Sequence, residues 1–260
     1  MKYYVVDAFA EDVFQGNPAG VCLVDRSLDA AAMQNIAAEN NLAETAFITQ
    51  KGNENEFDLR WFTPEVEMDL CGHATLASAF IISKYVMKNI DVMKFNTLSG
   101  VLEVTKKGDL FVMDFPARKP REMQITSLME QSLGCPVIEA YQSRDCLLLV
   151  ENENAVQTLT PNLELLRQMP NSLAVIVTAK GDTVDFVSRF FAPNAGISED
   201  PVTGSSHSTL IPFWSERLQK KQMIAKQLSK RGGILYCEDC GDRVKISGKV
   251  VLYLSGEINY

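Results

Sequence analysis

The sequence predicts an α+β protein of two halves that share one fold, each organised around a buried helix. Two observations carry that expectation. The first is the stretch Ala74–Met87, in which nearly every residue is apolar or small and Ser78, Ser83 and Lys84 are the main polar positions. A helix that is apolar around most of its circumference has no face to give to water and belongs in a core. The second is internal repetition. Shifting the chain by 129 residues places Thr49 on Thr178, Lys51 on Lys180, Gly52 on Gly181, Phe57 on Phe186, Arg60 on Arg189, Phe62 on Phe191 and Pro64 on Pro193. These seven identities fall within sixteen ungapped positions, where ordinary residue usage gives about one. A period this long is not that of a solenoid, whose repeats run about 20–50 residues, and it indicates two domains related by duplication.

The elements follow in order. Lys2–Phe9 alternates as a strand, Gly16-Asn-Pro-Ala-Gly20 reads as a turn, and Val21–Val24 as a second strand. Asp29–Asn40 has the spacing of an amphipathic helix. Ala46–Thr49 and Phe57–Phe62 read as strands joined by a polar turn over Lys51–Glu56. The buried helix comes next, entered through Cys71-Gly72-His73, and short strands continue to Phe115-Pro116. Ala117–Glu122 is charged and contains proline, which makes it the best candidate linker. The expected domains are therefore residues 1–118 and 119–260, with the last strand free to pack back on the first half. With three residues inserted into the 129-residue shift, Cys71-Gly72-His73 falls on Thr203-Gly204-Ser205, and the apolar helix Ser206–Gln219 then matches the first buried helix. Two β-patterned runs, Arg243–Ile246 and Lys249–Leu254, close the chain.

Composition narrows the function. The chain has 260 residues, 46% apolar and 22% charged, as expected of a globular protein. A net charge of −8 argues against nucleic acid or an anionic membrane as partner. Lys84 and Lys88 interrupt the longest apolar run, so no membrane span is expected. The N-terminus has the alternation of a strand and no signal-peptide core. Six cysteines scattered through a chain of this size suit a reducing compartment, and the cytoplasm is the expected location.

The residues able to do chemistry gather at the starts of the two helices. The first amides of a helix have no acceptor within it, and with the positive end of the dipole they seat an anion. Gly72 and Gly204 stand at those starts. The chain has two histidines, His73 and His207, one near each start. His73, beside a glycine at a matched repeat point, is the better functional candidate, and His207, deeper in its helix, the structural one. Asp200-Pro-Val-Thr-Gly-Ser205 precedes the second helix with more polar groups than one helix cap needs. Glu44 opens an otherwise apolar strand, and its repeat counterpart is Leu173, so the fold does not itself require an acid there. Apart from Lys84 at the far side, no Lys or Arg lies within Glu65–Lys84 or Asn194–Glu216. A phosphate seat usually brings one, so the expected ligand is a small, singly charged acid.

These pieces together resemble the phenazine-biosynthesis PhzF-like family. The matching segments are Asp7-Ala-Phe, Gly16-Asn-Pro-Ala-Gly20, Ala43-Glu-Thr-Ala-Phe47, Arg60-Trp-Phe-Thr-Pro64, Leu70-Cys-Gly-His-Ala-Thr75 and Glu199-Asp-Pro-Val-Thr-Gly-Ser205, in the family's order along nearly the whole chain. The resemblance implies the diaminopimelate-epimerase-like fold: two pseudo-symmetric domains, each a mixed β-sheet wrapped around a central α-helix, with the active site between them. It also implies a homodimer, no cofactor and no metal. By the same resemblance Glu44 is the proton shuttle, His73, Asp200 and Ser205 contact substrate, His73 and Asp200 assist catalysis, and amides beside Gly72 and Gly204 hold the substrate carboxylate. Met123–Pro170 carries no matching motif.

Two other readings stand beside this one. A two-thiol amino-acid epimerase needs a cysteine opening each helix, and Cys71 supplies the first, but Thr203 occupies the partner position. A small-acid-binding protein without turnover could keep the same fold. Cys237-Glu-Asp-Cys240 has the spacing of half a zinc site, yet no second pair follows, and a hairpin with two free thiols is expected.

Overall fold

The computed structural model of the chain describes residues 1–25, 28–52, 55–170 and 172–260. They divide into two units, Met1–Asp114 with Ser247–Tyr260, and Phe115–Ile246. The change comes at 114/115, before the charged linker, because residues 115–118 are already tied into the second unit. There the Ala117 N–H donates to Asp242 O and the Arg118 N–H to Ser208 O. The final segment goes with the first unit because the C-terminal strand, Val250–Glu257, pairs antiparallel along the N-terminal one.

The first unit contains β1 (Lys2–Ala8), β2 (Asn17–Leu23), α1 (Ala30–Asn40), β3 (Glu44–Gln50), β4 (Glu56–Phe62), β5 (Glu67–Met68), α2 (Gly72–Ile81), β6 (Val92–Thr97), β7 (Gly100–Lys107) and most of β8 (Leu110–Pro116). β1 is antiparallel to β2, β2 parallel to β3, β3 antiparallel to β4, and β4 parallel to β6, so the sheet is mixed. The segment Gly16–Gly20 is mostly strand rather than the expected turn. Pro18 sits at the start of β2, before the pairing with β3 begins at Ala19, where its missing N–H breaks no ladder bond on that side. The turn expected over Lys51–Glu56 includes residues 53 and 54, which lie outside the described residues.

α2 is buried at every position but Gly72 and Phe80, and it packs on β1, β2, β3 and β7. Its internal hydroxyls are satisfied within the helix: Thr75 Oγ1 donates to Cys71 O and Ser78 Oγ to Ala74 O. The apolar pattern ran to Met87, but the α-helix ends at Ile81 and one wider π turn, Ile82–Val86, carries the chain on. That turn places Tyr85 in a stack on Tyr4, with ring centroids 4.9 Å apart.

The second unit contains β9 (Arg121–Met123), α3 (Ser127–Leu133), β10 (Glu139–Gln142), β11 (Cys146–Leu149), α4 (Glu153–Thr158), α5 (Leu163–Leu166), β12 (Val175–Lys180), β13 (Phe186–Ala192), β14 (Ile197–Asp200), α6 (Gly204–Leu218), β15 (Gln222–Gln227), β16 (Gly233–Asp239) and most of β17 (Arg243–Gly248). Its pairing repeats the first unit's. β10 is antiparallel to β11, β11 parallel to β12, β12 antiparallel to β13, and β13 parallel to β15. α6 is buried without a break from Ser206 to Ser215. Within it Trp214 stacks on Phe186 at 5.8 Å and donates its indole N–H to Thr178 Oγ1 at 3.0 Å. Each unit is thus a mixed sheet around a central helix.

The duplicated identities have structural work. Arg60 in β4 forks onto Glu67 in β5, with bonds of 2.6 and 2.8 Å, and lies over the Phe62 ring. Arg189 in β13 forks onto Glu199 in β14, at 2.6 and 2.9 Å, and lies over the Phe191 ring. Each pair ties the strand that leads into a central helix to the strand before it. The copies differ in burial, since the Arg189 side chain is 11% exposed against 35% for Arg60. Arg189 also donates to the Val156 and Leu159 carbonyls. Arg189→Met should therefore cost about 3–5 kcal/mol, as expected when one partner of a buried pair is removed. Arg60→Met should cost about 1 kcal/mol or less. Urea unfolding followed by Trp214 fluorescence in a Trp61→Phe background measures the first. Trp61 suits that replacement because its indole N–H has no hydrogen-bond partner to lose.

Candidate active site

α2 begins at an open end. Its N-cap is Cys71, with extended φ of −143°, and no side chain caps the first amides. Neither Gly72 nor Gly204 has positive φ. What each glycine contributes is therefore the absence of a side chain over the helix start, rather than a left-handed backbone turn.

Around that end the first unit gathers a buried polar cluster. Glu44, the first residue of β3, is 8% exposed, whereas Leu173 at the corresponding point of the other unit is 52% exposed. Glu44 Oε2 lies 3.1 Å from His73 Nε2. That is ion-pair distance, yet both atoms are buried and neither has an aligned hydrogen-bond partner. On the far side of the ring, His73 Nδ1 lies 3.2 Å from Asn17 Nδ2 and 3.6 Å from Cys71 Sγ. Burial works against the imidazolium, but Cys71 and Glu44 beside it more than offset this and hold the His73 pKa above its ordinary value. The Cys71 thiol is pushed up, first by burial and then by the Glu44 charge, with His73 opposing.

Asn17 is the residue that sequence reasoning passed over, although it stands inside a quoted motif. Its position depends on the loop before it. Gly16 has φ of 67°, and a Cβ there would collide with the Ala8 carbonyl. Glu44, Cys71 and His73 present ligand-type atoms within 4.8 Å of one another, a donor set of the kind that holds zinc. The two ring nitrogens of His73 turn to different neighbours, however, Nε2 to Glu44 and Nδ1 to Cys71, so the three groups do not aim at one point.

The second unit builds a different helix start. Thr203, the α6 N-cap, donates its hydroxyl to Asp200 Oδ2 at 2.5 Å. Gln227, fully buried in β15, accepts from the Thr203 N–H and donates to the Asp200 carbonyl, at 2.9 and 2.7 Å. This lock was not visible in the sequence because Gln227 lies 24 residues beyond Thr203. Ser205 is half-buried on the first turn, and Arg144 Nη2 reaches its hydroxyl at 3.3 Å. His207 donates Nδ1–H to the Thr203 carbonyl at 2.8 Å, with Nε2 unpartnered and the Phe186 ring 5.9 Å from the imidazole. Its setting is structural. Cys237 is buried in β16 and Cys240 is exposed just beyond it, and both are free thiols.

The profile of the phenazine biosynthesis-like proteins matches residues 6–256. The chain belongs to the phenazine biosynthesis-like (PhzF) family. It is 45% identical over 259 residues to an uncharacterized isomerase of Pseudomonas aeruginosa, covering 100% of this chain and 99% of that one. The crystal structure of a PhzF-family protein from Enterococcus faecalis superimposes with a TM-score of 0.97 at 47% identity, over 100% of this chain and 99% of the other. A hydroxyproline epimerase from Agrobacterium vitis has a TM-score of 0.63 at 9% identity, over 98% and 91% of the two chains, and shares the fold alone. The family is thus one of isomerases on an epimerase-like fold, and no helix among the described residues is long and apolar enough to cross a membrane.

His207 sets an acid limit on the second unit. Burial lowers its pKa from 6.5 to about 4, with the Thr203 carbonyl opposing. The unfolded chain therefore takes up this proton first as pH falls. Stability is intact above pH 6.5 and declines as the pH approaches 4, by about 3 kcal/mol in all. His207→Asn keeps a donor for Thr203 but cannot titrate. Its unfolding midpoint should change less than the wild type's between pH 7 and pH 4.5, measured by urea titration.

Proposed function

We propose that the chain is a cofactor-independent isomerase that moves a proton between two carbons of a small, unsaturated carboxylic acid, with Glu44 carrying the proton. The observation that supports it is the buried Glu44–His73 couple, whose facing atoms lack aligned hydrogen-bond partners beside the uncapped start of α2. Buried polar atoms are rarely left without partners, and a catalytic role is one of the settings in which they are.

The amides at Gly72–His73 and at Gly204–Ser205 are each suited to an acid's carboxylate, since they are the free donors of a helix start. Glu44 takes a proton from one carbon, and the C–H electron pair spreads into the unsaturated acid. Glu44 then returns the proton to another carbon while the double bond shifts. The His73 cation stabilises the charge that develops, and helix dipoles act in the same direction. Asp200, held by Thr203, orients substrate or polarises it, and Ser205 adds a hydroxyl contact. A two-thiol mechanism is disfavoured by two features. The Cys71 thiol is pushed up by burial, and the Thr203 hydroxyl is a far weaker acid than a thiol and is already committed to Asp200.

Solvent deuterium incorporation into the acid tests the proposal. Glu44→Gln should fold and bind but lose about 10²–10⁴ in exchange rate, the contribution of a positioned acid/base. Asp200→Asn and His73→Ala should lose less, or weaken binding as well. Cys71→Ala should keep much of the activity, whereas an inactive Cys71→Ala with an active Glu44→Gln would establish the thiol mechanism. No exchange by the wild type with any acid it binds would make the protein a binder only. The rate should also hold through neutral pH and fall on the alkaline side, as His73 gives up a proton that its neighbours retain above the ordinary range.

A further inference from the structure

Arg144 and Arg118 form a charged cluster on α6 that the proton-transfer chemistry does not use. Two separate segments bring them there. Arg144 stands on the connection between β10 and β11, where the Ser143 hydroxyl meets Thr209 Oγ1 of α6 at 2.9 Å. Arg118 arrives from the lead-in to β9. Pro212 has no N–H to bond the Ser208 carbonyl one helical turn back, and the Arg118 N–H takes that carbonyl instead, at 2.8 Å. A proline in the middle of α6 thus creates the anchor for the second arginine.

Between them lies Asp145, 1% exposed. Its Oδ2 is 3.3 Å from both Nε and Nη2 of Arg144, and the same Nη2 reaches Ser205 Oγ at 3.3 Å. Arg118 Nη1 and Asp145 Oδ1 are both buried and have no hydrogen-bond partner. Burial lowers the Arg118 pKa, the Arg144 charge lowers it further, and Asp145 opposes them. Two guanidinium groups against one carboxylate leave one positive charge, in a chain whose net charge is −8. Holding like charges together around an incomplete hydrogen-bond set costs stability unless an anion completes it. The start of α6, with about half a positive charge of its own, is suited to a carboxylate before any side chain is counted. The arginine cluster is in excess of that.

We propose that this cluster seats a second carboxylate, so that the acid is a dicarboxylate and Arg144 is the residue that selects it. The inference rests on the small-acid reading above and replaces the singly charged ligand expected from the sequence, where Arg144 and Arg118 lay outside the segments around the helix starts. A guanidinium matches a carboxylate through its planar fork of donors, and Asp145 turns the Arg144 fork toward Ser205.

The test is calorimetric binding of crotonate against its diacid counterpart glutaconate, with fumarate and hex-2-enedioate bracketing the length. At least one diacid should bind wild-type protein about tenfold or more tighter than crotonate, the value of one charged hydrogen-bonding pair. Arg144→Gln should erase that advantage while leaving crotonate within about twofold, and Arg144→Lys should retain part of it. Arg144 is the partner of the buried Asp145, so the melt of each variant is the control for folding, and Arg144→Lys, which keeps a charge beside Asp145, separates a folding loss from a loss of selection. Crotonate binding as tightly as every diacid, a diacid preference that survives Arg144→Gln, or no diacid binding at all overturns the inference. Binding is read without turnover. A protein that selects diacids through Arg144 but exchanges no proton would lose the isomerase reading and keep this one. An active Glu44-dependent isomerase indifferent to Arg144 would do the reverse.

Discussion

A helix that is apolar on every side has to be enclosed, and enclosure leaves only its ends able to be polar. That constraint governs both units. Around α2 and α6 the sheet takes the hydrophobic surface, and the amides of the first turn are left as free donors at the edge of the core. Glu44, Asn17 and His73 at one helix start, and Asp200, Thr203 and Gln227 at the other, are all held by strands that touch the helix or lead into it. The Arg60–Glu67 and Arg189–Glu199 forks serve the same end, since each fixes the connection through which the chain enters a central helix.

Duplication preserved the frame and let the helix starts diverge. Strand pairing, forked arginines and uncapped helices recur, but Glu44 faces Leu173 across the repeat, Cys71 faces Thr203 and His73 faces Ser205. One copy carries a charge couple able to handle a proton. The other carries hydroxyls and an excess of arginine. A single ancestral helix start has thus become two unlike ones, each supported by a sheet of the same pairing pattern.

Much of this was legible in the sequence because it depends on local pattern. The apolar run from Ala74, the matched glycines and the 129-residue repeat all report periodicity and spacing, and they locate both helices and the polar residues that open them. Contacts between distant segments were not legible in that way. Gln227 reaches Thr203 because β15 runs parallel to β13. Arg144 reaches Ser205 because a strand connection lies on α6, 61 residues away along the chain. The role of Pro212 is visible only once the donor for the Ser208 carbonyl is known. The strand within Gly16–Gly20 was obscured by turn-forming residues whose glycine is needed one position earlier, to deliver Asn17.

The pairing of the C-terminal strand with β1 has a consequence for how the chain is made. The second unit is one continuous segment, Phe115–Ile246, whereas the first is closed by residues that follow it. On the ribosome, β1 waits with one edge unpaired until more than a hundred further residues have been synthesised. The second unit has all its parts first and folds as a contiguous block. The earlier-translated unit is therefore the later one to be completed, and until then its open edge can mispair.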